Sequence, residues 1–208
     1  MKNTLPLKGL YVITPDTLNS NELYTKAEQS LQGGVALFQY RDKISAPEEK
    51  LKRANTLHTI CLNYNVPLII NDDPHLALAC QAEGVHLGQS DGSIQKAREI
   101  VGKNSIIGIT CHHDVALAIT AQEQGADYVA FGRFFNSNTK PGIPLATPNT
   151  LNNAKNKIVL PIVAIGGITY ENASPIIEAG ASFIAVIEGV FAKPDTQQAC
   201  QAFSKLFK

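Results

Sequence analysis

Residues 67–91, PLIINDDPHLALACQAEGVHLGQSD, hold the key to the fold. Two short apolar runs, 67–71 (PLIIN) and 84–87 (GVHL), flank a helix-like segment at 74–82. The runs are rich in Ile, Leu and Val and lack polar alternation, as strands buried on both faces do. Asp73-Pro74 reads as the opening of the helix, with Asp73 as N-cap and Pro74 in the first turn. Strand, helix and strand in so short a span make up the unit of a parallel sheet.

The same unit recurs on both sides. Further strand-like runs stand at 10–14 (LYVIT), 36–41 (ALFQYR), 105–110 (SIIGIT), 127–131 (DYVAF), 161–165 (PIVAI) and 183–187 (FIAVI). Helix-like segments at 20–32, 47–64, 93–101, 115–125, 147–156, 172–180 and 196–207 separate and follow them. Glycines stand where helices should end, at Gly33, Gly84, Gly102, Gly125 and Gly180. GGV (33–35), EGV (83–85), QGADYV (124–129) and AGASFI (179–184) recur before strands as a degenerate half-unit repeat. Eight βα units in 208 residues predict one α/β domain spanning 1–208, a (β/α)8 TIM barrel. An open doubly wound sheet shares this alternation and is the alternative.

Composition excludes several classes of function. Lys plus Arg equals Asp plus Glu, 18 against 18, so there is no basic surface for nucleic acid. Cys61, Cys80, Cys111 and Cys200 form no C-x-x-C pair and no zinc-finger spacing. Cys111 falls near the end of a strand-like run, but nothing in its pattern points to a nucleophile. The first ten residues lack a signal-peptide pattern, and no apolar run approaches the ~18 residues of a membrane span. A cytoplasmic protein with small-molecule partners is expected, and a homodimer is compatible with the sequence.

In a barrel of this type, function sits where strands end. The second run ends Gln39-Tyr40-Arg41-Asp42-Lys43. Residues two apart share a face, so Gln39, Arg41 and Lys43 are expected to point together into the mouth. Two cations and an amide there suit a phosphate or diphosphate; a solvated strand end is the plainer reading. Asn71-Asp72 and Asp91 follow neighbouring strands. Two such carboxylates suit magnesium, which completes its octahedron with water and substrate phosphates. Capping or turn duty is equally open to them.

Thr110 offers a hydroxyl, His112-His113 read more simply as a loop leading into a helix, and His86 as a satisfied core histidine. The long stretch 132–146 carries Ser137, Asn138, Thr139 and Lys140, a set suited to closing over an anion. Gly166-Gly167 and the segment Ile187-Glu188-Gly189 end the last two strands, where backbone N–H groups of this fold often take a phosphate.

Several of these motifs, in this order, resemble thiamine-phosphate synthases: YVITP (11–15), QYRDK (39–43), INDD (70–73), GVHLGQSD (84–91), GITCH (108–112), SNTKPG (137–142) and AIGGI (164–168). The resemblance covers nearly the whole chain. It implies a magnesium-dependent transferase of thiamine biosynthesis. Such an enzyme condenses 4-amino-2-methyl-5-(diphosphooxymethyl)pyrimidine with a thiazole phosphate, carboxylated or not, releasing diphosphate by dissociative displacement.

The resemblance also assigns residues. Gln39, Arg41, Lys43, Asn71, Thr110 and Lys140 would hold the pyrimidine diphosphate, within a segment that includes Tyr40 and Asp42. Arg41, Lys43 and Lys140 would neutralise the departing diphosphate and act as the catalytic cations. Asp72 and Asp91 would bind Mg2+. Ser137, Asn138, Thr139 and Gly167 would hold the thiazole phosphate, with backbone near Ile187 and Glu188.

Two features depart from the family pattern. Arg133-Phe134-Phe135-Asn136-Ser137 stands where Pro-x-Phe-Pro-Thr is common, and Glu188 stands where a small residue is common. The Glu188 side chain is therefore expected to turn away from the phosphate. A related barrel group that isomerises thiazole phosphates, or regulates, carries a histidine where Arg133 stands and lacks the Asn-Asp and magnesium carboxylates. A non-catalytic phosphate-binding barrel is a further alternative.

Overall fold

The structure, a computed structural model, describes residues 3–135 and 145–208. Eight parallel strands close into a ring in chain order, β1 (Gly9–Ile13), β2 (Leu37–Tyr40), β3 (Leu68–Asn71), β4 (Gly84–Leu87), β5 (Ile106–Thr110), β6 (Tyr128–Gly132), β7 (Ile162–Ile165) and β8 (Phe183–Val186). Closure rests on β1 pairing with β8, with Leu10 opposite Ile184 and Val12 opposite Val186. The open-sheet alternative is thereby excluded.

Helices α1 (Ser20–Gln32), α2 (Pro47–Asn63), α3 (Pro74–Ala79), α4 (Ile94–Val101), α5 (Val115–Glu123), α6 (Pro148–Lys155) and α7 (Tyr170–Glu178) follow the first seven strands. After β8 come a short α8 (Glu188–Phe191) and then α9 (Thr196–Lys205). No apolar periodicity announces a four-residue helix, and the sequence reading passed over α8.

Strand alternation sorts side chains into two cores. Tyr11, Ile13, Leu37, Ile69, Ile106, Tyr128, Val163 and Phe183 fill the barrel interior. Leu10, Val12, Phe38, Tyr40, Ile70, Val85, Ile107 and Phe131 face the helices. Each such aliphatic or Phe side chain contributes about 1.5–3 kcal/mol on burial.

Local signals account for the helix starts. Asn19 and Glu22 form a reciprocal capping box on α1. Asp73 caps α3 by accepting from the Leu76 N–H at 2.9 Å, with Pro74 in the first turn, as the sequence suggests. Gly84 is a correction: it does not end a helix but opens β4. A Cβ there would lie 2.3 Å from the Ile106 carbonyl oxygen, so glycine lets β4 and β5 approach. Gly108 serves Tyr128 in the same way, since a Cβ at 108 would fall 1.9 Å from the ring.

Candidate active site

The mouth at the strand ends is organised around Asp16, which the sequence reading did not single out. Its carboxylate pairs with the Arg41 guanidinium and accepts the Lys43 backbone N–H at 2.8 Å. Thr14 fixes the same segment from β1: its hydroxyl donates to the Arg41 carbonyl at 2.9 Å and accepts the Arg41 N–H at 2.8 Å. Thr14 lies within the 11–15 motif and Asp16 directly follows it, and only tertiary contact ties them to Arg41.

Lys43 reaches across to β3 and pairs through Nζ with Asp72. The Asp72 carboxylate also accepts from Asn71 Nδ2 at 2.7 Å. Its backbone N–H donates to the His86 carbonyl at 2.7 Å, carrying the β3–β4 ladder one residue past Asn71. At φ 61° the chain turns sharply at Asp72, in a conformation that Asp tolerates better than most residues. Arg41, Lys43, Asn71 and Asp72, all selected from sequence, are thus brought together. Asp91, after β4, accepts the Gly88 N–H at 2.8 Å through Oδ2, closing a turn. Its second oxygen has no protein partner among the described residues.

The segment 39–43 splits by alternation. Gln39 enters the barrel interior and is buried. Tyr40 faces the helices and donates its hydroxyl to Asp42 at 2.9 Å. Asp42 also pairs with Arg53 of α2 at 3.2 Å and accepts the N–H groups of Ile44 and Ser45 at 3.0 and 2.9 Å. Burial would raise the Asp42 carboxyl, but the hydrogen bonds from Ser45, Ile44 and Tyr40 hold it down at about 2. Tyr40 and Asp42 therefore shape the loop that carries Arg41 and Lys43.

His86 is a satisfied buried histidine, with Nδ1 3.0 Å from the Tyr128 hydroxyl and Nε2 2.9 Å from Thr110 Oγ1. Burial pushes it down to about 4, so the ring is neutral at neutral pH. Thr110 also presents its carbonyl to Gln89 Nε2 at 2.5 Å. His112 and His113 are exposed in the loop before α5. Cys111 is buried, and burial pushes its thiol up to about 12, away from any nucleophilic role.

On the far side, Gly166 and Gly167 adopt φ 103° and 65° after β7. A Cβ on Gly166 would fall 2.4 Å from that of Arg133. Ile187 packs against the interior core, whereas Glu188 is exposed and opens α8. Glu188 lines a cavity of about 660 Å³ whose walls come from the start of α7, from α8, from the connection after it and from one face of α9, not from the strands. Ser137, Asn138, Thr139 and Lys140 lie outside the described residues. Of the described residues on either side, Ala146 donates its N–H to the Arg133 carbonyl at 2.8 Å.

A model of the thiamine monophosphate synthase family matches residues 10–190. The chain belongs to the thiamine monophosphate synthase family. It is 50% identical over 202 residues to the thiamine-phosphate synthase of Marinobacter nauticus, covering 96% of this chain and 90% of that one. The thiamine-phosphate synthase of Nitrosococcus oceani is 51% identical over 203 residues, covering 97% and 93%. Among solved structures, a thiamine phosphate pyrophosphorylase from Pyrococcus furiosus superposes with a TM-score of 0.87 at 30% identity, covering 97% and 95%.

Among the described residues no group of three or more His, Cys, Asp or Glu side chains could hold a metal by itself. Asp72 and Asp91 follow neighbouring strands and offer the carboxylate oxygens that a hard cation takes, one oxygen of Asp72 being engaged by Lys43 and Asn71 and one of Asp91 by the Gly88 N–H. No described helix is long and apolar enough to cross a membrane.

Proposed function

We propose that this transferase of thiamine biosynthesis joins the pyrimidine diphosphate to thiazole phosphate and releases diphosphate, with Mg2+ held by Asp72 and Asp91. The observation that carries the reading is the cluster of Arg41, Lys43, Asn71 and Asp72 at one end of β2 and β3. Cations and a metal carboxylate gathered at one point suit a leaving group with several negative charges.

In this reading Arg41 and Lys43 exchange part of their pairing with Asp16 and Asp72 for diphosphate oxygens, and Lys140 joins them from the loop. Bound Mg2+ would supply further neutralisation of the charge that develops on the leaving oxygen. The amino group of the pyrimidine stabilises the benzylic cation, so the displacement needs no covalent nucleophile. It needs positioning, which Gln39, Asn71 and Thr110 provide, and a dry site. Gly167 and backbone near Ile187, with Ser137, Asn138 and Thr139, hold the thiazole phosphate so that its ring nitrogen meets the cation. Glu188 keeps its carboxylate on the helix side. Four buried free cysteines fit a reducing cytoplasm.

The test is direct. Protein supplied with Mg2+ and both substrates should form thiamine phosphate and diphosphate in equal amounts. Asp72→Ala should lose Mg2+-dependent turnover while keeping its far-UV circular dichroism. Normal turnover by that variant would remove the metal assignment.

A further inference from the structure

Five polar groups from five strands form one chain through the barrel interior. Gln39 Nε2 donates to the Tyr11 hydroxyl at 2.5 Å, and Tyr11 lies 2.9 Å from the Tyr128 hydroxyl. Tyr128 lies 3.0 Å from His86 Nδ1, and His86 Nε2 lies 2.9 Å from Thr110 Oγ1. Tyr11 is 1% exposed and Tyr128 0%, so no water competes for their protons.

The direction of every bond follows from the first. An amide nitrogen only donates. The Tyr11 hydroxyl accepts from it, and the one acceptor for its own proton among the described residues is Tyr128. Tyr128 then has one acceptor left, His86 Nδ1. A neutral imidazole that accepts at Nδ1 carries its proton on Nε2 and donates it to Thr110. The reverse direction would strand the Tyr11 proton in the dry interior, an expensive outcome. The unused proton of the chain therefore emerges at the Thr110 hydroxyl, which is half-buried at the mouth.

We infer that this one-way chain fixes His86 as the Nε2–H tautomer and presents Thr110 to the ligand as a hydroxyl donor, making Tyr11, Tyr128 and His86 positioning residues for the pyrimidine diphosphate. The part that concerns the ligand rests on the reading of Gln39 and Thr110 given under the proposed function. The tautomer does not depend on it.

Two measurements test this. Long-range 1H–15N correlation on 15N-histidine-labelled protein, with His86 assigned by the loss of its signals in His86→Asn, should show the Nε2–H tautomer in the ligand-free protein at neutral pH. An Nδ1–H tautomer or an imidazolium would overturn the inference, whatever reaction the protein performs. The second measurement is a cycle on kcat/KM for the pyrimidine diphosphate. Tyr128→Phe and Thr110→Val should each lose about tenfold or more, the scale of one hydrogen bond to a ligand. Thr110→Ser should restore most of the Thr110→Val loss. Combined, Tyr128→Phe and Thr110→Val should lose no more than Thr110→Val alone, because Tyr128 acts through Thr110. Losses that multiply would mean that Tyr128 only fills space, and would overturn its positioning role.

Discussion

Gly108→Ala places one methyl group against the ring at the middle of the barrel. The added Cβ would lie 1.9 Å from Tyr128 Cζ and 2.4 Å from both Cε atoms. The ring cannot swing away freely, because Tyr128 is fully buried and its hydroxyl is held by Tyr11 and His86. Overpacking of this kind costs about 1–3 kcal/mol, and stranding a buried hydroxyl costs about 1–3 kcal/mol more. For a chain of this size each kcal/mol lowers Tm by about 2–4 °C, so a fall on the order of 10 °C is expected. Thermal melting followed by circular dichroism, with urea midpoints as a second measure, reads the effect. The cause is isolated by repeating the change in a Tyr128→Ala background, where the methyl group should enter free space and cost little. A Gly108→Ala variant that melts within about 2 °C of the parent would refute the reasoning, as would an equal loss in both backgrounds.

Other outcomes follow from the mouth. Asp42 has a folded pKa of about 2, below its ordinary 3.8, so its contribution is present above the unfolded value and is lost as pH falls through about 2. The stability gap between the parent and Asp42→Asn, about 1–2 kcal/mol from this source at neutral pH, should narrow between roughly pH 4 and 2; urea midpoints that keep a constant separation would contradict this. Asp16→Asn should release Arg41 and the Lys43 backbone, lowering kcat/KM for the pyrimidine diphosphate by roughly 10–100-fold, and unchanged steady-state kinetics would show that Asp16 does not position them. Lys140→Ala should slow the single-turnover rate by on the order of 100-fold if its cation meets the leaving group, whereas an unaltered rate would reduce its loop to a connection.

Much of the fold was legible because its signals are local. Apolar runs without alternation, Asp73-Pro74 at a helix start and glycines after helices each reflect the conformation of a few adjacent residues. Gly84 misled for the same reason. A glycine between a helix and a strand looks like a cap, and only the nearness of Ile106 shows why a side chain is excluded. Helix α8 was missed because four residues carry no periodicity. At the mouth, alternation correctly set Gln39 and Tyr40 on opposite faces, but the pairing of Asp42 with Arg53 of α2 links separate elements and has no local signal.

The sequence by itself determined the eight strand–helix units, the cations and carboxylates at their ends, and the family. Closure of the ring, the pairing of Asp16 with Arg41, and the line from Gln39 to Thr110 were decided only by the tertiary structure. Tyr11 and Tyr128 meet across 117 positions of chain. Alternation tells which way each side chain points, but the stagger of a closed ring decides which inward side chains lie at the same height.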